Sequence, residues 1–404
     1  MSAKIPAVSN GGTGRAPRLT AVMRQEERVT PLELFFDLVF VLALTQCTAL
    51  MAQDPTWGGL LRGMLVLGVL WWSWIGYAWL TSVVDPEEGA VRGAMFLAMA
   101  AFLVTALCVP GAFGDDALPF AIAYGVVRAA HIALFVIASR DDPGLRHSVI
   151  GLGISTAIGV GLLVFASFLD RDWQEAVWVL ALLLDYGGPL VIDSSGWRLS
   201  PGHYAERHGL IIIIALGESI VAIGAGAELG VDAGVITAAV LGIAVAAAQW
   251  WLYFDVVATV ATSRLIKAAE GRERNEIARD SYSYLHLPMI AGIVLVALGM
   301  KKTLLDVGEP LKIETATAML GGTAMYLLAH VAFRWRNIGT LNRQRLVCSM
   351  LLLALIPLGT ELPSLATLAM LVAILVALIT YETIRFAELR DRIRHELARE
   401  MAAG

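Results

Sequence analysis

The sequence predicts an all-α polytopic integral membrane protein, with about twelve transmembrane helices in two parallel six-helix halves and both termini cytoplasmic. Three observations carry this expectation. The chain of 404 residues is 57% apolar and 16% charged, with mean hydropathy +0.69, against about 25% charged in a soluble domain. Apolar runs long enough to cross a bilayer recur from residue 33 to residue 382. Finally, 24 of the 30 Lys and Arg residues fall on one side of the chain drawn as a serpentine, the asymmetry that sets membrane orientation.

Taken in order, the runs are 33–52, 60–81, 92–110, 119–138, 147–168, 174–192, 207–226, 233–258, 286–300, 313–333, 346–360 and 364–381. The ninth and eleventh are short, so ten or eleven spans also fit. Residues 1–32 are polar and Gly-rich and lack the apolar core of a cleaved signal peptide. They read as a disordered cytoplasmic leader, which leaves the first span in place. Residues 33–192 form the first half and 193–381 the second; 382–404 read as a charged, helical cytoplasmic tail. Helices bond every backbone group internally, as hydrocarbon demands. The alternating ten-residue strands of a membrane β-barrel do not occur.

Several function classes drop out. A net charge of −5 provides no basic footprint, so no nucleic-acid partner is expected. Cys47, Cys108 and Cys348 lie in separate apolar runs and form neither a disulfide framework nor a zinc motif. No cofactor is required by the sequence. The expected partners are membrane lipid and a small-molecule or ion substrate; the oligomeric state is left open.

The halves resemble one another. Trp71-Trp72 in the second run has a counterpart in Trp250-Trp251 in the eighth; Ala130-His131 matches Ala329-His330; the run from Glu33 to Gln46 matches that from Glu206 to Glu218. Each pair is separated by six spans. An even repeat preserves orientation, so the halves would run parallel, related by an axis along the membrane normal.

Polar residues inside the spans are the candidate site residues, because a charge at mid-bilayer costs roughly 2.5–3.5 kcal/mol on insertion scales. Glu33 and Asp37 stand at i and i+4, on one helix face. Like charges there require a proton or a cation between them. Thr30-Pro31-Leu32-Glu33 also has the form of a helix start, with Glu33 closing a capping box. His203 and Glu206 share a face at i and i+3, and with Glu33 and Asp37 they make a weak candidate metal set. Glu218 lies eleven residues past Arg207, about 16 Å along a helix and near the midplane. Arg128 shares a face with His131 and needs an anion, for which Asp185 is the candidate by depth, forming a structural ion pair. Tyr186-Gly187-Gly188-Pro189 would unwind its helix locally. Asp255, His286 and His330 read as groups near the inner interface, His330 being the repeat mate of His131. Trp71 and Trp72 lie too deep for an interfacial belt alone.

Pro31-Leu32-Glu33-Leu34-Phe35-Phe36-Asp37-Leu38-Val39-Phe40-Val41 resembles the opening signature of the bacterial low-temperature-requirement A (LtrA) family. His203-Tyr204-Ala205-Glu206-Arg207-His208-Gly209-Leu210, running on to Leu216-Gly217-Glu218-Ser219, resembles its second signature, and Tyr282-Ser283-Tyr284-Leu285-His286-Leu287-Pro288 a third. The resemblance covers about residues 25–380. His208 departs from it, standing where an aromatic is common. What the resemblance implies is a multi-pass protein of the bacterial inner (plasma) membrane, with a name derived from growth in the cold. It assigns no substrate, reaction or site residue.

The residues therefore favour a secondary transporter or permease in which Glu218 and Asp37 cycle protons or bind a cation. Two alternatives stand beside it: a metal-dependent intramembrane enzyme using Glu33, Asp37, His203 and Glu206, and a non-catalytic membrane protein linked to cold or stress growth whose buried charges only hold helices together. An enzyme is the less favoured class.

Overall fold

The computed structural model describes residues 28–87, 89–191, 194–226, 230 and 232–388. Most of the expected leader and of the charged tail lie outside the described residues. Within them the chain is helical, with an isolated bridge pairing Pro310 with Pro363.

The helices are α1 (Pro31–Gln53), α2 (Trp57–Val83), α3 (Gly89–Leu107), α4 (Ala117–Ala138), α5 (Pro143–Ala166), α6 (Arg171–Val191), α7 (Pro201–Gly226) and α8 (Ala233–Phe254). They continue as α9 (Val257–Lys267), α10 (Arg272–Ile277), α11 (His286–Leu305), α12 (Ile313–Ala316), α13 (Gly322–Ile338), α14 (Arg343–Ala354), α15 (Ile356–Gly359) and α16 (Ser364–Arg385). Among the described residues, nine helical stretches are long and apolar enough to cross a membrane. The runs expected at 92–110, 174–192 and 346–360 are also helical but fall short of that standard. The apolar part of α3 is the shorter stretch Val91–Leu107, α6 carries Arg171, Asp172, Glu175 and Asp185, and the run at 346–360 is broken into α14 and α15.

Two expectations need correction. The ninth span does not begin at 286: α10 and α11 join through a π-helical turn, Ala278–Tyr284, into one apolar stretch from Arg272 to Leu305. The hydropathy window missed its start because Arg272, Glu273, Arg274 and Glu276 crowd the first turns. Nor does Gly187-Gly188-Pro189 unwind α6, which continues to Val191 with Pro189 inside it. A proline this close to a C-terminus removes one bond from a turn that is already fraying. The Pro189 carbonyl instead accepts from Arg279 Nη1 at 3.1 Å.

Local chemistry explains the helix starts. Thr30 Oγ1 accepts from the Glu33 amide and Glu33 Oε2 accepts from the Thr30 amide at 2.8 Å, which is the expected capping box. Asp142 caps α5, accepting from the Leu145 amide at 3.1 Å and from Arg198 Nε at 2.9 Å. The amide bond foremost, with Arg198 helping, holds the Asp142 carboxyl below the usual carboxylate range. Asp142→Ala is expected to cost about 1 kcal/mol. A lowered value stabilises the fold only while the carboxyl is ionised. The melting difference between wild type and variant should therefore be full at neutral pH and shrink as pH falls through the lowered value.

Helix α2 is the central post, buried on nearly every face, with Trp71 and Trp74 wholly enclosed. Around it stand α1, α4, α6, α7 and α11. The periphery is apolar: Leu97, Ile154, Phe168, Leu183, Val240 and Val347 all point outward. A contiguous greasy exterior of this kind is what lipid covers. Trp250 and Trp251 belong to it, at 44% and 39% exposed, so the two tryptophan pairs that looked equivalent occupy opposite environments.

Candidate functional site

Helices α1 and α7 run side by side, and their cross-contacts join residues 170 to 177 apart in sequence throughout. A constant offset means the two run parallel and in register. Glu33 and Asp37 at i and i+4 on α1 therefore face His203 and Arg207 at i and i+4 on α7.

At the Thr30 end of this seam all four side chains are fully buried. Arg207 Nη2 donates to Asp37 Oδ1 at 2.6 Å and Nη1 to Glu33 Oε1 at 3.2 Å. His203 Nε2 lies 2.9 Å from the same Glu33 oxygen. Trp74 Nε1 donates to Asp37 Oδ1 at 2.8 Å, and its ring sits 5.3 Å from the guanidinium carbon. Thr81 Oγ1 accepts from Arg207 Nη1 at 3.0 Å. The cation expected between Glu33 and Asp37 is thus the protein's own Arg207. Glu33 serves both expected roles at once, one oxygen in the cap and the other in the ion cluster. The guanidinium occupies the place a metal would need, and Glu206 is exposed on the other face of α7, with its carboxylate accepting from the Val29 amide. Among the described residues no three His, Cys, Asp or Glu side chains gather as metal ligands.

Glu218 is buried farther along the same seam, about 16 Å from Arg207. Its partners are hydroxyls: Thr45 Oγ1 donates to Glu218 Oε2, and Thr48 assists. The acids therefore do not converge on one cavity.

A third group surrounds α2 and the π turn. His208, which departs from the resemblance, is wholly buried among Tyr204, Trp74, Tyr282 and His286, with ring centroids 4.4 to 5.2 Å away. Its Nδ1 lies 2.8 Å from the Tyr204 carbonyl, an acceptor only, so Nδ1 carries the hydrogen. By the same argument His286 donates from Nδ1 to Ser281 at 3.0 Å and accepts the Tyr253 hydroxyl at Nε2, 2.9 Å away. His286 and His330 are buried within the protein. The π turn has a local use as well: it leaves the Ser283 carbonyl free to accept from Trp71 Nε1 at 2.8 Å, while Trp79 Nε1 donates to Ser283 Oγ at 3.1 Å.

Arg128 approaches Asp185 at 3.4 Å and donates more closely to Thr156 Oγ1, at 2.6 Å, and to the Trp72 carbonyl, at 3.2 Å. It stands with His131 at the floor of a cavity of about 60 Å³ between α2, α4, α5 and α6, with Trp72, Trp79, Trp197 and Arg279 among its walls. Gly76 is required here: a Cβ would lie 2.8 Å from His131 Cε1. A second cavity, about 110 Å³, lies between α8, α13, α14 and α16, lined by Trp251, His330, Arg345 and Glu382. In that one Arg345 is held by both Glu382 oxygens, at 3.0 and 2.9 Å.

Sequence reasoning missed Arg207, Trp74, Trp197 and Arg279. The matching i, i+4 pairs on α1 and α7 were a usable signal for Arg207. Trp197 and Arg279 lie outside the runs taken as spans and carried no signal.

A profile of the family described as bacterial low temperature requirement A protein (LtrA) matches residues 28–380. The chain is 30% identical over 310 residues to an uncharacterized protein of Rhizobium meliloti (strain 1021), covering 73% of this chain and 74% of the relative. No solved structure matches.

Proposed function

Since the chain belongs to the bacterial low temperature requirement A (LtrA) family, we propose that this polytopic helical protein is a proton-coupled permease of the bacterial inner membrane, built from two parallel six-helix halves joined along α1 and α7. Twelve spans, with α3, α6 and the α14–α15 pair completing the nine, put both termini on the cytoplasmic side. Several features support the halves. Parallel α1 and α7 are their first helices, and α3 packs on α4 as α11 packs on α13. The two cavities also occupy corresponding positions, between spans two, four, five and six and between spans eight, ten, eleven and twelve.

One observation carries the transport reading. Glu218 is a carboxyl buried at mid-span on the joint between the halves; hydroxyls hydrogen-bond it, and Lys301 acts on it through space without a salt bridge. Such a group exchanges a proton when the seam opens to water. Glu218→Gln keeps the shape and a hydrogen-bonding group. It is expected to abolish pH-coupled solute flux into liposomes loaded with a pH-sensitive dye while leaving the melting temperature within a few degrees of wild type. Coupled flux that persists in the variant defeats the assignment.

The Arg207 cluster favours a second reading, a non-catalytic membrane protein with structural charges, because Arg207 bridges Glu33 and Asp37 and His203 bonds Glu33 as well. On that reading Glu218→Gln would lose stability and biological activity together.

A further inference from the structure

The cavity over Arg128 and His131 is built for a ligand of one charge. Its floor holds two polar groups that the fold buries without completing. Arg128, 1% exposed, spends its Nη atoms on Thr156, Trp72 and Asp185, but its Nε has no partner within hydrogen-bond distance. His131, also 1% exposed, has no side-chain partner for its ring nitrogens, and the ring lies against the Gly76 backbone, a polar neighbour. Buried donors left in this state cost about 1–3 kcal/mol each, a cost that a ligand would relieve.

The charge around the space has a sign. Among the described residues, Arg128 and Arg279 line the cavity and no carboxylate does. Asp185 offsets Arg128 from behind. At the mouth, one carboxylate, Asp280, is shared between Arg279 at 2.8 Å and Arg336 at 2.9 Å, which leaves one positive charge over. The tryptophan walls alone would suit an organic cation, but two guanidiniums in the lining oppose one. The cavity of the second half makes the contrast: Asp255 and Glu382 line it beside Arg334 and Arg345, so its charges cancel.

From this we infer that the first cavity binds a small organic monoanion, a carboxylate of one to three carbons. Arg128 Nε and His131 meet the carboxylate, and Trp72, Trp79 and Trp197 contact its hydrocarbon part. The size agrees, since 60 Å³ holds about four water-sized positions. The inference rests on the permease reading only for what becomes of the anion afterwards; binding stands or falls by itself.

The test is isothermal titration of the full chain in detergent micelles with sodium acetate and sodium formate, at constant sodium chloride, with choline chloride as the cationic control. The expected result is saturable binding of acetate or formate and none of choline. His131→Phe should weaken it about tenfold or more, the effect of losing a charge-assisted hydrogen bond, and Arg279→Gln should weaken it comparably by removing the excess positive charge. Arg279 lies at the partly exposed mouth, so its variant decides the matter if His131→Phe lowers the melting temperature sharply. No saturable heat from either anion, equal affinity for choline, or unchanged affinity in folded Arg279→Gln overturns the inference. A protein that binds acetate but moves none of it into liposomes keeps the site and sinks the permease. Coupled flux of another solute without acetate binding does the reverse.

Discussion

Arg207→Met is expected to be the most damaging single substitution in the chain, lowering stability by about 3–5 kcal/mol, the cost of leaving buried charge without its partner. Glu33 and Asp37 are both fully enclosed and both hydrogen-bonded by this one guanidinium. Removing it leaves the carboxylates close together in a low-dielectric seam. Arg207→Lys should recover only part of the loss, because a single ammonium cannot span Glu33, Asp37 and Thr81 at once. The triple variant Glu33→Gln, Asp37→Asn, Arg207→Met removes every formal charge except any on His203 and should regain most of the stability. Melting curves in detergent, followed by size-exclusion chromatography, check the series. If Arg207→Met melts within a degree or two of wild type, the cluster does not hold α1 to α7.

The second large effect is expected at the crossing of α11 and α13, where the backbones touch. A Cβ at Gly292 would lie 2.6 Å from the Gly322 carbonyl oxygen and 3.0 Å from the Tyr326 amide nitrogen; one at Gly322 would lie 3.0 Å from the Gly292 carbonyl oxygen. The obstacles include main-chain atoms, which cannot rotate aside. Gly292→Ala should therefore cost about 1–3 kcal/mol through overpacking, and Gly292→Val more. Gly161→Ala is the control: nothing lies within 4 Å of its added Cβ. Replacing a mid-helix glycine there should be neutral or stabilising by up to about 1 kcal/mol. Opposite shifts in melting temperature at the two positions would show that close approach, not helix propensity, governs the crossing. Small-residue contacts of this kind let membrane helices pack where no hydrophobic force draws them together.

The candidate site was legible in part, and the division follows sequence distance. Glu33, Asp37 and Glu218 stood out because a charge in an apolar run is costly wherever its partner lies. The Thr30 capping box was legible because it is closed within four residues. Arg207 stands at the very start of the run 207–226. Its partners are 170 and 174 residues away, and nothing local announces them. The candidate metal set failed for a related reason. His203 and Glu206 share a face only roughly, and once His203 turns inward with Arg207, Glu206 faces out. The tryptophan pairs show the same limit: Trp71-Trp72 and Trp250-Trp251 read alike, yet one pair lies in the central post and the other faces outward.

By itself the sequence determined that this chain is a helical membrane protein of the LtrA family, and which of its residues are costly where they stand. Those properties depend on run length, composition and short spacing, which neighbours along the chain carry. Only the tertiary structure decided that Arg207 locks Glu33 and Asp37, that Glu218 is hydrogen-bonded by hydroxyls, and that Arg128 and His131 line a cavity. A charge acts through space across an apolar interior, and its partner is whatever helix packing brings within about 4 Å, however far away in sequence.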